Sequence, residues 1–442
     1  MKRHAIFLAL LALSQPLLAA DLLQTYREAR ANDAVYASAL AARDAGRENL
    51  PQGLALLLPN ISGSAVTQKN DIDINFRSSL PPSKREGNTN SYGVTLTQPL
   101  FNWQNLMLYK EAGFKVAQAE AVFGQATQDL IVRVAQAYFD VLASQDSLAF
   151  IQAQKTAISE QLAQAKRNFE VGTATITDTH EAQARFDLAT SQEIAAQSDL
   201  EIKQRVLQQI IGKFPDRITP LRPSTELNPP NPNAMEQWVA SAQEQNFGVR
   251  TQQATLEIAA REVERNRAGH YPTLNMVGSV AKSGASLSAT AVTSVASDSV
   301  NRIIGLQLAI PLYAGGSVNS QVRQALANQE KSRQDLENSR RNAALLARQS
   351  FLGVTNGMAQ VRALQQALVS SQSSLDSNKL GYEVGVRINI DVLNAQQQLF
   401  STKRDLSRAR YDTLLNGLKL KAAAGTLSED DVETVNRLLG TD

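Results

Sequence analysis

From Phe123 onward the chain places side chains alternately four and three residues apart: Phe123, Thr127, Leu130, Val134, Ala137, Val141, Ser144, Leu148, Ile151, Lys155 and Ile158. Eight of these eleven are apolar. A mean spacing of 3.5 residues is the seam of a coiled coil, whose other faces here are rich in Ala, Gln and charge. The pattern predicts one helix from 104 to about 168, on the order of 100 Å long at 1.5 Å per residue. A second long helix is predicted from about 317 to 380, and a shorter one from 22 to about 49.

Two stretches have a period of two instead. Tyr92, Val94 and Leu96 alternate with Gly93, Thr95 and Thr97; Ile304, Leu306, Leu308 and Ile310 alternate with Gly305, Gln307 and Ala309. One face is oily and the other small or polar, as in a strand with lipid on one side and water on the other. A half-buried sheet in a soluble protein alternates in the same way. Partner strands are expected at roughly 60–67 and 273–281. The polar stretches 68–90 and 282–301, which lack periodicity, are expected to be exposed loops. Pro59, Pro99, Pro272 and Pro311 mark the helix–strand junctions, since proline is tolerated at strand ends.

The chain is also written twice. Phe169-Glu170-Val171-Gly172, with Asp178 after it, answers to Tyr382-Glu383-Val384-Gly385, with Asp391 after it, at an offset of 213. Leu58-Pro59 answers to Tyr271-Pro272 and Gly212 to Gly425 at the same offset. Pro99-Leu100-Phe101 answers to Pro311-Leu312-Tyr313, and Phe139 to Phe351, at 212. Ordered landmarks at nearly one offset mean a duplicated half-molecule. The repeats are placed at 21–212 and 234–425. Between them, 213–233 holds six of the fourteen prolines and reads as the connection. Residues 426–442 form a terminal segment.

Four strands cannot close a membrane barrel, because the smallest single-chain barrels use eight. An open edge in lipid leaves backbone groups unsatisfied at several kcal/mol each. A membrane reading therefore requires an oligomer: two chains give eight strands, three give twelve.

Composition narrows the classes further. Lys2 and Arg3, an apolar run over 5–13 and Leu18-Ala19-Ala20 read as a secretory signal peptide over 1–20, so the mature chain begins near Asp21. Without Lys2 and Arg3 the basic residues equal the 42 acidic ones, which argues against a nucleic-acid surface. No cysteine is present to form a disulfide, a lipid anchor or a thiolate metal site. His180 and His270 stand far apart, and no metal site or cofactor is expected. After the leader, no run of eighteen apolar residues offers a membrane helix. No nucleophile–histidine–acid set or phosphate loop supports an enzyme.

Six ordered segments carry a family resemblance: Asp21-Leu22-Leu23-Gln24-Thr25-Tyr26, Leu96-Thr97-Gln98-Pro99-Leu100-Phe101, Ala137-Tyr138-Phe139-Asp140-Val141-Leu142, Pro311-Leu312-Tyr313-Ala314-Gly315-Gly316, Gly381-Tyr382-Glu383-Val384-Gly385 and Ala424-Gly425-Thr426-Leu427. Together the mature chain resembles the TolC family of outer-membrane channel-tunnels. The fold that the resemblance implies is mainly α with a membrane β part. Long coiled-coil helices form a periplasmic α-barrel, and four strands per chain contribute to a twelve-stranded barrel in a homotrimer. The inter-repeat and C-terminal segments would form an equatorial belt. The implied function is an exit duct for efflux or type I protein secretion in the outer membrane, with a large periplasmic portion. Its implied partners are a periplasmic adaptor and an inner-membrane transporter of the RND, ABC or MFS type.

The resemblance also implies site residues. Asp178, Tyr382 and Arg387 match a gate that holds the periplasmic entrance shut; helix capping is the plain alternative for Asp178. Asp391 matches an acidic constriction ring, again with capping as the alternative. The second ring position is Asn394 rather than an acid, so the mouth would carry three carboxylates where the family pattern has six. Val171, Gly172, Thr173, Val384, Gly385 and Val386 match the tips that contact the adaptor, and a plain glycine turn is the alternative. Phe101, Trp103 and Tyr313 match an aromatic belt at the inner membrane surface, as against aromatics that pack between helices. A soluble periplasmic coiled-coil scaffold or adaptor is the competing function.

Overall fold

The computed structural model describes residues 20–214, 217–223, 225–289 and 295–440. Nearly all of the expected leader lies outside them, as do Pro215 and Ser224 of the connection. The elements run α1 (Leu22–Asn32), α2 (Ala34–Arg47), α3 (Asn49–Ala55), β1 (Asn60–Ile74), β2 (Ser83–Phe101), α4 (Trp103–Glu170) and α5 (Ile176–Ile211). The order then repeats: α6 (Met235–Gln245), α7 (Phe247–Arg267), β3 (Thr273–Ala289), β4 (Val295–Ala309), α8 (Ser317–Glu383) and α9 (Asn389–Ala423), with α10 (Glu429–Asn436) last.

The described residues form two compact units. The first comprises 20–41, 122–250 and 339–440. Its main core gathers α1, the middle of α4, the end of α5, the second half of α9 and α10 around Tyr138, which has no exposed surface. The Tyr138 hydroxyl donates to the Thr219 carbonyl at 2.7 Å, and burial raises its pKa well above the usual tyrosine value. Phe139 stacks on Tyr411 at 5.7 Å between centroids, and the Tyr411 hydroxyl donates to Asp146 Oδ2 at 2.8 Å. All eleven seam positions of α4 are buried or half-buried. In the proline-rich connection, Ile218 bridges Ala20 and Leu221 bridges Leu439.

Where one helix is expected from 22 to about 49, the structure has two, α1 and α2, and α3 follows from Asn49. The break falls at Asp33, whose carboxylate accepts from the Tyr36 amide at 2.9 Å and pairs with Arg133 at 2.6 Å. The side chain competes with the helix for its own backbone and restarts the chain as α2. Asn246, 213 residues later, does the same between α6 and α7, accepting from the Gly248 amide at 2.9 Å.

The second unit comprises 42–121 and 251–338 and holds the sheet. Its four strands are antiparallel in the order β1-β2-β3-β4, which leaves β1 and β4 as open edges. Four helical segments leave from one end of this sheet. The strands are longer than expected: most of 68–90 and of 282–301 is ladder, not loop. Polar cross-strand pairs carry these extensions, among them Asn70 Nδ2 to Thr89 Oγ1 at 2.8 Å and Lys282 to Asp298 at 3.5 Å. With water on both faces, a ladder needs no apolar alternation, because its backbone bonds are the same. Pro99 lies inside β2, near its end, where the register shifts by one residue. A bulge is a place where proline's missing donor costs little.

The register sorts the sheet into two faces. Ile61, Tyr92, Val94, Leu96, Met276, Val280, Ile304, Leu306 and Leu308 share one. Ser62, Ser64, Thr95, Thr97, Ser279, Asn275, Gly305 and Gln307 share the other. The apolar face is bare in the single chain: Ile304 is 85% exposed and Leu306 68%. Among the described residues, no helix is long and apolar enough to cross a membrane.

Candidate functional site

Two helical hairpins, α4–α5 and α8–α9, end beside one another in the first unit. α4 stops at Glu170 because Gly172 turns left-handed, φ +76°, and the amides of Thr173 and Ala174 fold back onto the Asn168 carbonyl at 2.8 and 3.2 Å. α8 stops in the same way. Gly385 has φ +75°, and the amides of Val386 and Arg387 reach the Gly381 carbonyl at 2.8 and 3.0 Å. Glycine enters this region without the steric penalty of a Cβ. The turns present Val171, Gly172 and Thr173 on one tip and Val384, Gly385 and Val386 on the other, all exposed.

The helices restart differently. Thr175 caps α5, and Asp178 closes a capping box with it: the carboxylate accepts from the Thr175 amide at 3.0 Å and from its hydroxyl at 2.8 Å. Asp178 is therefore the third-position acid of a box and not the cap itself. The cap of α9 is Ile388, which has no side-chain acceptor. Asp391 caps nothing, and its carboxylate lies 3.6 Å from Arg387, whose side chain is 61% exposed.

Of the three expected gate residues, Tyr382 links one hairpin to the other through its side chain, and Asp178 does so through its backbone carbonyl. The Tyr382 hydroxyl accepts from Asn168 Nδ2 at 3.2 Å. The Asp178 carboxylate bonds to its own turn, and the Arg387 guanidinium pairs with Asp391 on its own hairpin. Asn394, on α9, accepts from Arg185 Nη2 of α5 at 3.0 Å, and Arg185 Nη1 donates to Gln397 at 2.7 Å.

Six residues described at this site escape the sequence reading: Gln161, Asn168, Thr175, Arg185, Asn389 and Gln397. Asn389, 2% exposed, accepts from Gln161 of α4, and its amide nitrogen lies 3.5 Å from the Asp178 carbonyl. One buried amide thus ties the second hairpin to both helices of the first. The sequence did not mark it: Asn389 stands where the other repeat has Ile176, which is exposed, so only the folded chain shows the amide to be buried. A buried amide calls for partners.

The aromatic set lies in the second unit. Phe101 ends β2 on the apolar face, opposite Leu274, and Tyr313 is 88% exposed after β4. Trp103 packs edge-on against Tyr271 at 6.4 Å instead. Tyr92, read in the sequence only as part of the strand alternation, shares the apolar face midway along β2.

These contacts are small, mostly exposed and individually weak. Among the described residues, no group of His, Asp and Glu is arranged to hold a metal ion. The chemistry on offer is reversible latching, and the open edges and bare apolar face ask for lipid and further strands.

The family model described as outer membrane efflux protein matches residues 25–213 and again 238–426. The chain is 33% identical to "Outer membrane protein TolC" of Vibrio cholerae serotype O1, over 97% of this chain and 96% of that protein. It is 33% identical to "Alkaline protease secretion protein AprF" of Pseudomonas aeruginosa, over 96% of this chain and 89% of that one. Among solved structures it is similar to the CmeC outer membrane channel of Campylobacter jejuni, with a TM-score of 0.78 at 17% identity, covering 94% of this chain and 89% of that chain. It is also similar to the open state of the Neisseria gonorrhoeae MtrE outer membrane channel, with a TM-score of 0.70 at 17% identity, covering 92% and 90%.

Proposed function

The chain belongs to the outer membrane efflux protein family, and from that premise we propose how its parts work as an exit duct. It lies in the outer membrane with a large periplasmic portion and serves efflux and type I secretion. The observation that carries the mechanism is the sheet: four strands, one bare apolar face and two unpaired edges. In lipid those edges must be filled, and further copies of the same sheet fill them by pairing β4 of one antiparallel with β1 of the next. Three copies give twelve strands, an even number within the range of membrane barrels. Phe101 and Tyr313 then mark the inner interface, while Trp103 supports them from behind. Channels of this family are not enzymes, and this chain carries solutes without transforming them.

In the trimer the six hairpins close as an iris. Tyr382 and Asn168 latch the hairpins within a protomer; Asp178 and Arg387 face the neighbouring protomer. Each latch is a neutral hydrogen bond or an exposed ion pair, worth about 1 kcal/mol or less. A set this weak stays shut when repeated three-fold and yields to a partner that binds the open state better. The exposed tips Val171–Thr173 and Val384–Val386 dock a periplasmic adaptor, and an inner-membrane transporter of the RND, ABC or MFS type delivers cargo. Asp391 rings the mouth with three carboxylates, and Asn394 leaves the second ring neutral. The connection 213–233 and residues 426–442 form a belt around the duct, and 1–20 is a leader removed on export.

Fractionation and planar-bilayer recording test this reading. The protein should require detergent for extraction and form discrete channels as a trimer. Recovery as a water-soluble monomer that makes no pore would return it to the class of periplasmic scaffolds.

A further inference from the structure

We propose that each seam between protomers carries a seat for the phosphate of an anionic lipid in the outer leaflet, formed by Arg302 of one protomer and Lys69 of the partner subunit. This rests on the barrel reading above and adds a ligand to it. The register gives the rows of the lipid-facing side. Ile61, Leu96, Gly278 and Ile304 form one row; Gly63, Val94, Val280 and Arg302 form the next; Ala65, Tyr92, Lys282 and Val300 form the third. The apolar band therefore ends at Tyr92, an aromatic at an interface, and the basic side chains begin there.

The cations are not equivalent. Lys282 is paired with Asp298 at 3.5 Å. Lys84 is paired with Glu86 at 3.1 Å and Asp71 at 3.6 Å. Arg302 and Lys69 are exposed and have no ion pair among the described residues. Arg302 sits in a row whose other three members are Gly63, Val94 and Val280. A guanidinium there must reach the headgroup layer or carry an anion with it.

The two free cations lie on the two open edges. β1 and β4 are each 15 residues long. Pairing them end to end across the seam sets Arg302 opposite Thr67 of the partner subunit and diagonal to Lys69 of the partner subunit. Diagonal positions on one face are about 7–8 Å apart. A slip of two residues, which keeps the same face outward, brings Arg302 directly opposite. Like charges so placed repel unless an anion bridges them. At this depth in a membrane the available anion is a lipid phosphate, which a guanidinium binds in bidentate fashion.

The test uses the delipidated trimer and native mass spectrometry. The probes are a diphosphorylated glucosamine lipid, phosphatidylcholine as a headgroup without net charge, and inorganic phosphate as the free ion. The wild type should retain up to three phosphorylated lipids per trimer, in preference to phosphatidylcholine and undisplaced by inorganic phosphate. Arg302→Gln with Lys69→Gln should weaken retention by on the order of ten-fold. Lys84→Gln should leave it unchanged, and Arg302→Gln alone gives a milder variant should the double one assemble poorly. Equal retention by the double variant, or by phosphatidylcholine, overturns the proposal. Displacement by inorganic phosphate also overturns the lipid assignment. Channel recording on the same preparation keeps the two readings apart, since a lipid-blind protein that still conducts refutes only the seat.

Discussion

Thr175 and Ile388 occupy the same place in the two hairpins, 213 residues apart, and only Thr175 holds its neighbouring acid. The threonine draws Asp178 into a capping box, whereas the isoleucine leaves Asp391 to Arg387. Among the differences between the duplicated tips, this one separates a locked turn from a looser one.

Ile388→Thr should therefore rebuild the box on the second tip. Asp391 would turn from Arg387 to the new hydroxyl, and α9 would gain about 1 kcal/mol at its start. Hydrogen exchange of the amides from 388 to 392 should slow by several-fold. Unchanged exchange would mean that the cap is not what distinguishes the tips.

Replacing Tyr382 with Ala and Arg387 with Ser removes the inter-hairpin hydrogen bond and the exposed pair, about 1–2 kcal/mol per protomer. Single-channel conductance in a planar bilayer should rise. A conductance equal to the wild type would take both residues out of the latch.

Asn394→Asp would double the carboxylates of the mouth, but Arg185 at 3.0 Å would neutralise much of the gain. Asn394→Asp alone should sensitise the channel weakly to divalent cations, and Asn394→Asp with Arg185→Gln strongly. Conductance titrated with a divalent salt reads the difference. Equal block in the two variants would show that Arg185 does not shield the ring.

The Asp146 carboxyl is pushed above its ordinary value of 3.8, mainly by burial, against the hydrogen bond from Tyr411. The folded protein thus holds a proton that the unfolded chain releases. Stability from this group is present below the ordinary aspartate value and is lost as pH rises through the raised one. Asp146→Asn still accepts from Tyr411 and carries no charge. Its Tm relative to the wild type should climb as pH is raised from about 4 into the neutral range. A difference independent of pH would mean that Asp146 titrates as an exposed acid.

The parts legible in the sequence are those whose physics is periodic. Phe123 to Ile158 announces a helix because burying a seam requires every third or fourth residue to be apolar. Ile304 to Ile310 announces a strand because lipid meets every second one. The outer ladders from 68 to 74 and from 83 to 90 were not legible, because a strand wet on both faces selects no pattern. The helix breaks at Asp33 and Asn246 depend on side chains that can turn back on their own backbone, and the residue type alone does not say which way they turn. The bond from Asn168 to Tyr382 joins residues 214 apart and required the folded chain. Asn389 likewise required the folded chain, because its counterpart Ile176 in the other repeat is exposed and announces no burial.

The unfilled margins of β1 and β4 reach beyond conduction to biogenesis. A solitary chain arriving at the membrane has no way to complete its own perimeter, so insertion and recruitment of sister chains become one event. The yield of finished ducts should then climb more steeply than in proportion to the supply of newly exported chains. Stragglers would be left for proteases instead of persisting as half-built pores.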